Sequence, residues 1–369
     1  MSKLCLIYNF AQRYREEIFS DIDKEWDCEW YFGINTTNIK GMDLSLLRDA
    51  HEVENVNIRK SAFFYQKGIF KLARRKDIST YFMLGDPHCL SNWLLAFYVK
   101  YFRRNKKVYF WTHGWYGKES RMTAFLKKRY FKMSDGIFLY GNYARGLMMD
   151  KGFDPDKLFV IHNSLHHTEQ LKLRKQLSPS DVYTAHFKND NPNIVFIGRL
   201  TAVKKLDLLL KAVSLLRDKG MGLNVTFIGD GSQKEELKNL TKELCLEENV
   251  WFYGACYDEK TNAELIYNAD LCVAPGNVGL TAMHSMVFGT PVISHGDFNW
   301  QMPEFEAIQK GKTGDFFKPN DVKSLAAAIK NWFTEHPDRE AVRKACYKEI
   351  DEGWTPEFQM EVLRENLKV

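Results

Sequence analysis

Short apolar runs and amphipathic segments alternate along this chain, and the alternation is the strongest constraint on how it can fold. In the first half, buried strands are predicted at Leu4–Tyr8, Thr80–Leu84 and Lys107–Trp111, with helical spacing at Leu90–Arg104 and Arg121–Phe131. Strands that alternate with helices form parallel sheets, because neighbouring parallel strands need a long crossover connection. The pattern therefore predicts a doubly wound α/β sheet.

The alternation lapses in a polar, aperiodic stretch between His166 and Asn191 and restarts with a predicted strand at Asn193–Ile197. The next segment, Leu206–Arg217, has the i, i+3, i+4, i+7 apolar spacing of a core-packed helix. A chain of 369 residues can hold two domains. We therefore predict two Rossmann-like α/β domains that face a central cleft. The expected division is an N-terminal domain over 1–170, a linker over 171–191, a C-terminal domain over 192–345, and a segment 346–369 whose helix crosses back to the first domain.

Positive charge is concentrated in the first third of the chain, although the formal net charge is only +5. Lys100–Lys132 contains eleven basic residues and one acid, and Arg59–Lys76 contains seven basic residues and no acid. Such runs favour an anionic ligand or surface. No aromatic-interleaved RNA-binding motif accompanies them, so a nucleic-acid partner is not expected.

Aromatic residues accompany this charge in the predicted helix Leu90–Arg104, which carries Trp93, Phe97 and Tyr101. Aromatic and basic side chains together favour the interface of an anionic leaflet. The alternative is a buried helix beside a solvated charged face. We expect a cytoplasmic protein, with a peripheral position on the inner face of the plasma membrane as an option.

The seven cysteines are scattered and form no C-x-x-C pair. Their odd number and spacing exclude a disulfide framework and the common zinc motifs, and they favour a reducing compartment. No signal-peptide pattern follows Met1, and the longest charge-free stretch is interrupted by Pro and Gly. No metal site is expected.

Candidate anion-binding residues follow the predicted strands of the second half. Gly198-Arg199-Leu200 closes the first strand, and Lys204 precedes the next helix. Arg offers a planar fork for phosphate oxygens and Lys offers a point charge. Two further turns are rich in glycine: the first contains Gly229 and Gly231, and the second contains Gly279, Leu280 and Thr281. Glycine lets backbone N–H groups approach a diphosphate. For Gly229 and Gly231, a tight strand-to-helix turn capped by Ser232 is an equally good interpretation.

Two residues of the first half follow predicted strands and are candidates for acceptor binding. Asp86 follows the strand Thr80–Leu84, and His113 follows Lys107–Trp111. Ligands bind at the carboxyl ends of parallel strands. Asp86 is equally well placed to cap the next helix, and His113 could be a structural histidine.

Four blocks of the second half resemble the donor-binding half of family 4 glycosyltransferases with the GT-B fold: IGRLTAVKKLDLLLKAVSLL, VTFIGDGSQKEELKNL, VWFYGACYDEKTNAELIYNADLCVAP and GLTAMHSMVFGTPVIS. The resemblance implies retaining transfer from a nucleoside-diphosphate sugar without a metal. It also implies that Arg199 and Lys204 bind the donor diphosphate, and that His113 faces the reacting sugar as a catalytic residue.

The sequence departs from this family where two glutamates, eight positions apart, usually contact the sugar hydroxyls and the ribose. Gly276 and His284 occupy those positions here. A neutral imidazole can hydrogen-bond a hydroxyl, so we expect His284 to contact the ribose. Among the acids that follow, Glu304 is the preferred replacement for the sugar-contacting carboxylate. The alternative is that Glu304 only occupies a helix first turn, where the dipole favours it.

Taken with these residues, the resemblance implies a metal-independent, retaining hexosyltransferase. It would use a UDP- or GDP-linked sugar, with no cofactor, and a glycan or polyprenyl-linked acceptor in cell-surface polysaccharide synthesis. The main alternative is a non-catalytic GT-B protein that binds a nucleotide sugar or a partner enzyme. A GT-B epimerase is disfavoured, because the GRL and GTPVI blocks fit transferases better.

Overall fold

A computed structural model of the protein describes residues 3–35, 40–59 and 61–369, so Lys60 of the second basic run lies outside the described residues. The chain divides into two compact units. The first comprises Met1–His166 together with Thr355–Val369, and the second comprises His167–Trp354. Each unit is an α/β structure built on a parallel sheet, which confirms the predicted fold class of two Rossmann-like domains.

The first unit contains a seven-stranded parallel sheet in the order β3-β2-β1-β6-β7-β8-β9 and a separate antiparallel pair, β4-β5. Its strands are β1 Lys3–Tyr8, β2 Cys28–Gly33, β3 Ala50–Val53, β4 Asn55–Asn57, β5 Phe64–Gln66, β6 Ile78–Leu84, β7 Lys107–Thr112, β8 Gly136–Leu139 and β9 Leu158–Val160. Its helices before the division are α1 Glu16–Glu25, α2 Ile69–Leu72, α3 Leu90–Phe102, α4 Arg121–Phe131 and α5 Asn142–Asp150.

Helices cover both faces of this sheet, so its strands are apolar almost throughout. One core cluster contains Cys5, Ile7 and Phe110, and a second contains Leu4, Leu6 and Trp111. Alternate residues of β1 therefore face opposite cores. Strand β2, which the sequence analysis did not predict, interrupts its aromatic run with Glu29, a buried carboxylate that is ion-paired with Arg75 at 2.5 Å.

The second unit contains a six-stranded parallel sheet in the order β12-β11-β10-β13-β14-β15. Its strands are β10 Asn193–Ile197, β11 Asn224–Ile228, β12 Val250–Gly254, β13 Leu271–Ala274, β14 Val292–His295 and β15 Gly314–Phe317. Its helices are α6 His167–Arg174, α7 Val182–Phe187, α8 Leu206–Arg217, α9 Lys234–Glu243, α10 Glu259–Asn268, α11 Thr281–Val287, α12 Val322–Glu335 and α13 Arg339–Gly353. The predicted apolar face of α8 is confirmed, since Leu206, Leu209, Leu210 and Val213 are all buried.

The predicted linker 171–191 contains helical structure that its polar, aperiodic sequence does not indicate. It holds the end of α6 and all of α7, and it belongs to the second unit. Tyr183 and Phe187 of α7 are buried, and the Tyr183 hydroxyl donates to the Leu265 carbonyl at 2.6 Å. These helices are short and bury few side chains, so the sequence shows no helical period there.

The return to the first unit begins at Thr355, later than the predicted 346, because α13 continues to Gly353 within the second unit. The Thr355 hydroxyl caps α14 (Pro356–Asn366) by accepting from the Phe358 amide. Helix α14 packs against α1 with Leu363 in the core, and Arg364 forms an ion pair with Glu25 at 2.9 Å.

Several large apolar side chains on α3 and α4 are exposed: Leu94, Phe97, Tyr101, Phe102, Met122, Phe125 and Leu126. Trp93 and Tyr98 of α3 instead pack partly against the core. The predicted aromatic helix is thus only half buried. Within the described ranges, no helix has both the length and the apolar character that crossing a bilayer requires.

Candidate functional site

In the second unit, the loops after β10 and β11 touch through their glycines. A Cβ on Gly229 would lie 1.9 Å from the Gly198 carbonyl oxygen, and one on Gly231 would lie 2.3 Å from the Leu200 oxygen. The Leu200 amide donates to the Asp230 carbonyl at 2.9 Å and fixes the contact. Close packing of two loops therefore accounts for Gly229 and Gly231, and it brings the predicted donor-binding residues to one edge of the sheet.

Lys204 reaches from the end of the β10 loop to the loop that follows β13. Its Nζ donates to the Asn277 carbonyl at 2.7 Å, to Asn277 Oδ1 at 3.0 Å and to the Val278 carbonyl at 3.4 Å. Gln301 holds that second loop from the other side, because its Oε1 accepts from the Val278 amide at 2.9 Å. Lys204 is thereby fixed beside Gly279, whose Cβ position lies 3.8 Å from Nζ.

The charge on Lys204 is easily lost. Burial lowers its pKa to about 8; Glu304 opposes this effect and Arg199 adds to it. Arg199 itself is exposed and has no carboxylate partner among the residues described. Because the charge of Arg199 lowers the pKa of Lys204, the two cations are electrostatic neighbours, and such a pair favours an anionic ligand.

Gly276, at the first of the two missing glutamate positions, has no room for a side chain. A Cβ there would lie 2.0 Å from the Val203 carbonyl oxygen and 2.7 Å from the Lys204 backbone. The Gly276 amide donates to the Lys204 carbonyl at 2.9 Å. The turn that carries Lys204 fills the space that a side chain at 276 would need.

Glu304 is buried, with 2% of its surface exposed, on a 3₁₀ turn over Pro303–Ala307. Its carboxylate raises the pKa of Lys204, so the two groups are electrostatic neighbours. Glu304 does lie in the first turn of this short helix, as the alternative interpretation expects, but it is buried there. Its role toward a donor sugar stays a prediction.

His284 is paired with a carboxylate that sequence reasoning missed. Its Nε2 lies 3.0 Å from Glu259 Oε1, and Gln170 Nε2 donates to the same oxygen at 2.8 Å. Burial opposes ionisation of Glu259, but His284 and the hydrogen bonds outweigh it and lower its pKa to about 2. A carboxylate from α10 thus lies next to the second vacant glutamate position.

The remaining predicted donor contacts have structural roles as well. The Thr281 hydroxyl is buried and donates to the Ile197 carbonyl at 2.8 Å, which fastens α11 to the end of β10. Leu280 precedes that helix, and Gly279 adopts a φ of 56°, which a glycine tolerates well. The backbone of this loop, more than the Thr281 hydroxyl, is available to a ligand.

The first unit contains a cavity of about 390 Å³ that brings both predicted acceptor residues together. Asp86 and His113 line it, together with residues that sequence reasoning missed: Tyr8, Gln12, Arg15, His88 and Lys127. The cavity lies where β1, β6 and β7 end, the edge at which open parallel sheets bind ligands.

His113 is a neutral imidazole in this cavity at physiological pH. Burial lowers its pKa to about 4, and the charges of Arg15 and Lys127 add to the effect. Its ring lies 4.7 Å from that of Tyr140, and its Nδ1 has no hydrogen-bond partner within the described part of the chain. The ring can therefore accept from or donate to a ligand hydroxyl.

Asp86 folds back on its own turn. Its Oδ1 accepts from the His88 amide and also contacts His88 Nδ1, both at 2.9 Å. Helix α3 begins at Leu90 without a side-chain cap, so the interpretation of Asp86 as a helix cap is wrong. Its carboxylate remains partly exposed in the cavity wall.

One group of side chains among the described residues has the spacing of metal ligands: Glu29, Asp49 and His51, whose ligand atoms lie within 4.8 Å of one another. These residues lie near the starts of β2 and β3, at the opposite sheet edge from the cavity. Glu29 already pairs with Arg75 and Lys3, and Asp49 pairs with His51 at 2.9 Å. An ion-pair network accounts for the grouping.

The fold defines a class, an α/β protein of two compact units that are each built on a parallel sheet. Residues 184–349, somewhat less than half of the chain, match the family model described as glycosyl transferases group 1. One similar solved structure is the lipopolysaccharide outer core galactosyltransferase WaaB, with a TM-score of 0.73 and 15% identity; the match covers 99% of this chain and 100% of that one. Another is Anabaena HepE in complex with UDP, with a TM-score of 0.72 and 15% identity; the match covers 100% of this chain and 99% of that one. These likenesses show the GT-B glycosyltransferase fold.

Among curated proteins, the chain is similar to the sulfoquinovosyl transferase SQD2 of Arabidopsis thaliana, with 28% identity over 167 residues, which is 44% of this chain and 30% of that protein. It is also similar to the putative glycosyltransferase EpsD of Bacillus subtilis, with 26% identity over 194 residues, 52% of this chain and 48% of that protein. The chain therefore spans half or less of the length of these two relatives.

Proposed function

We propose that this protein is a retaining, metal-independent glycosyltransferase. It transfers a hexose from a UDP- or GDP-linked donor to a glycan or polyprenyl-linked acceptor in the synthesis of a cell-surface polysaccharide. The match of 184–349 to glycosyl transferases group 1 supports sugar transfer, and the solved complex of HepE with UDP supports a nucleotide-sugar donor.

The observation that carries the proposal is the pair of cations in the second unit. Arg199 is free of carboxylate partners among the described residues, and Lys204 is held on the Asn277–Val278 backbone beside Gly279. A departing nucleoside diphosphate gathers negative charge, and fixed cations stabilise that charge more in the transition state than in the ground state. The expected roles are diphosphate binding and leaving-group stabilisation.

Single substitutions test this assignment. With UDP- and GDP-sugars and a panel of glycan acceptors, Arg199→Ala and Lys204→Ala should each lower kcat/KM by a factor that corresponds to about 2–4 kcal/mol. Lys211→Ala is the matched control, because Lys211 is a half-exposed lysine on α8 whose one ion-pair partner among the described residues is Asp207. Near-normal turnover in both test variants would show that the donor site lies elsewhere.

A non-catalytic nucleotide-sugar-binding protein is the second candidate, and Gly276 is the observation that favours it. No side chain fits at that position, so the sugar-contacting carboxylate of the resembling family has no equivalent on this loop. If Glu304 does not replace it, the site binds a donor without turning it over. Saturable UDP binding without any release of nucleoside diphosphate from UDP-sugars would favour this second function.

The surface of α3 and α4 supports a peripheral position at an anionic membrane. Phe97, Phe102 and Phe125 are each at least half exposed, and basic residues of the run Lys100–Lys132 flank them. Aromatic side chains enter the headgroup region, while basic side chains are attracted to anionic lipids. A polyprenyl-linked acceptor on the inner leaflet would account for this surface.

A further inference from the structure

A buried arginine without a carboxylate stands at the edge of the cavity in the first unit. Arg15 ends a 3₁₀ turn, Arg13–Arg15, between β1 and α1, and only 5% of its surface is exposed. Aromatic rings surround its guanidinium carbon: their centroids lie 4.9 Å (Trp111), 5.2 Å (Tyr140), 5.4 Å (Tyr14), 5.8 Å (Tyr8) and 6.0 Å (Phe19) away. The guanidinium is therefore enclosed by ring faces.

The hydrogen bonding of Arg15 is incomplete. Nη2 donates to the Tyr140 hydroxyl, whereas Nη1 has no hydrogen-bond partner among the residues that the structure describes. No described carboxylate lies within 4 Å of the guanidinium. Arginine stays charged at any physiological pH, and buried charges are normally paired because desolvating them is costly. The missing partner is therefore expected to come from a bound anion.

The neighbouring groups suit a sugar ring. Tyr8, Gln12 and His113 line the cavity. One polar atom of each (Tyr8 Oη, Gln12 Oε1 and His113 Nδ1) is buried and has no hydrogen-bond partner within the described ranges. Together they offer donors and acceptors of the kind that bind hydroxyl groups. A cavity of about 390 Å³ is at the small end of the range for ligand sites, which suits one or two sugar rings rather than a long chain.

The charges around the cavity determine which kind of anion it can bind. Lys127 is neutralised by Glu119 at 2.7 Å, and Asp86 adds a carboxylate of its own to the wall. Among the described residues that line the cavity, Arg15 alone contributes a positive charge that no acid balances. A single uncompensated cation beside a carboxylate favours a monoanion over a dianionic phosphate.

We propose that this cavity binds a sugar residue carrying one carboxylate, of the hexuronic acid class, with Arg15 as its anchor. The carboxylate accepts a charge-assisted hydrogen bond from Nη1, and Tyr8, Gln12 and His113 bind the ring hydroxyls. That this sugar belongs to the acceptor rests on the proposed function; the binding itself does not.

The test is a titration of the intact protein with methyl β-glucuronoside and with methyl β-glucoside, followed by ligand-observed NMR. The two probes differ only at C6, which is a carboxylate in the glucuronoside and a hydroxymethyl group in the glucoside. The wild type should bind the glucuronoside at least tenfold more tightly than the glucoside, because a hydrogen bond to a charged group contributes most of the difference. Arg15→Gln should remove this preference, and Arg15→Lys should keep part of it.

Arg13→Gln is the matched control, because Arg13 lies on the same turn but is exposed and does not line the cavity. It should bind both glycosides as the wild type does. Melting temperatures establish that each variant is folded, and Arg15→Lys keeps the test informative if Arg15→Gln unfolds. Equal affinity for the two glycosides, or tighter binding of inorganic phosphate than of the glucuronoside, would overturn the proposal.

UDP binding is measured on the same samples to separate this inference from the proposed function. The donor residues all belong to the second unit, so Arg15→Gln should leave UDP affinity unchanged. A wild type that binds the glucuronoside but not UDP would refute the proposed donor site and support the cavity assignment. A wild type that binds UDP but shows no glycoside preference would refute only the cavity assignment.

Discussion

The lowered pKa of Lys204 leads to a quantitative prediction about proton uptake. Its amine titrates near pH 8 instead of 10.5, mainly because of burial. That difference corresponds to about 3 kcal/mol in favour of the neutral amine. A bound diphosphate would add negative charge beside Nζ and raise the pKa again, so the amine should take up a proton when UDP binds.

The expected stoichiometry follows from a pKa of about 8 in the free protein. If the amine is fully protonated in the complex, UDP binding takes up roughly 0.25 proton at pH 7.5 and roughly 0.75 proton at pH 8.5. Isothermal titration calorimetry measures this uptake when the same titration is repeated in buffers of different ionisation enthalpy. The UDP phosphates are already fully ionised at pH 8.5.

Lys204→Arg is the decisive control, because arginine remains protonated across this range and should abolish the uptake while keeping the charge. The kcat/KM of the wild type should also fall as the pH rises through about 8, whereas that of Lys204→Arg should not. Uptake that is absent, or unchanged in Lys204→Arg, would refute the assignment of Lys204 to the diphosphate. In the free protein the folded-state pKa is depressed, so the unfolding free energy should rise between pH 8 and 10.5.

Three further predictions concern other parts of the molecule. Gly276→Ala should lower the melting temperature by several degrees, because the added Cβ would lie 2.0 Å from a carbonyl oxygen. Gly146→Ala is the control and should leave the melting temperature unchanged, because the space around Gly146 is open. His284→Ala should raise the donor KM, while Glu304→Gln should lower kcat with little change in UDP affinity; an unchanged kcat would exclude Glu304 from the reaction. Phe97→Glu should weaken flotation with anionic vesicles at low salt, and a wild type that never floats would rule out membrane association.

Local sequence patterns were sufficient to predict two α/β units with parallel sheets, although they did not reveal strand β2. The apolar runs of β1, β6, β7, β10 and β13 are short and continuous, and the helices between them repeat their apolar residues every three or four positions. Both patterns reflect burial, either of a whole strand within a sheet or of one face of a helix. Burial of this kind leaves its pattern in residues that are close together in the sequence. Loops at strand ends follow from the same topology, so Lys204 and the Gly279 loop could be predicted from the sequence to lie at the same edge of a sheet.

The tertiary structure alone decided which side chains act together. Glu259 lies 25 positions from His284, and Arg15 lies 125 positions from Tyr140. Neither partner has a local signature, because helix and strand periodicities report burial and carry no information about polar contacts between distant segments. The space beside Gly276 is likewise filled by the backbone of Val203, from another loop. The local pattern of a chain determines which faces of its helices and strands are buried. Hydrogen bonds between distant side chains, the loss of space beside a glycine and a charge without a partner arise only when remote segments pack together.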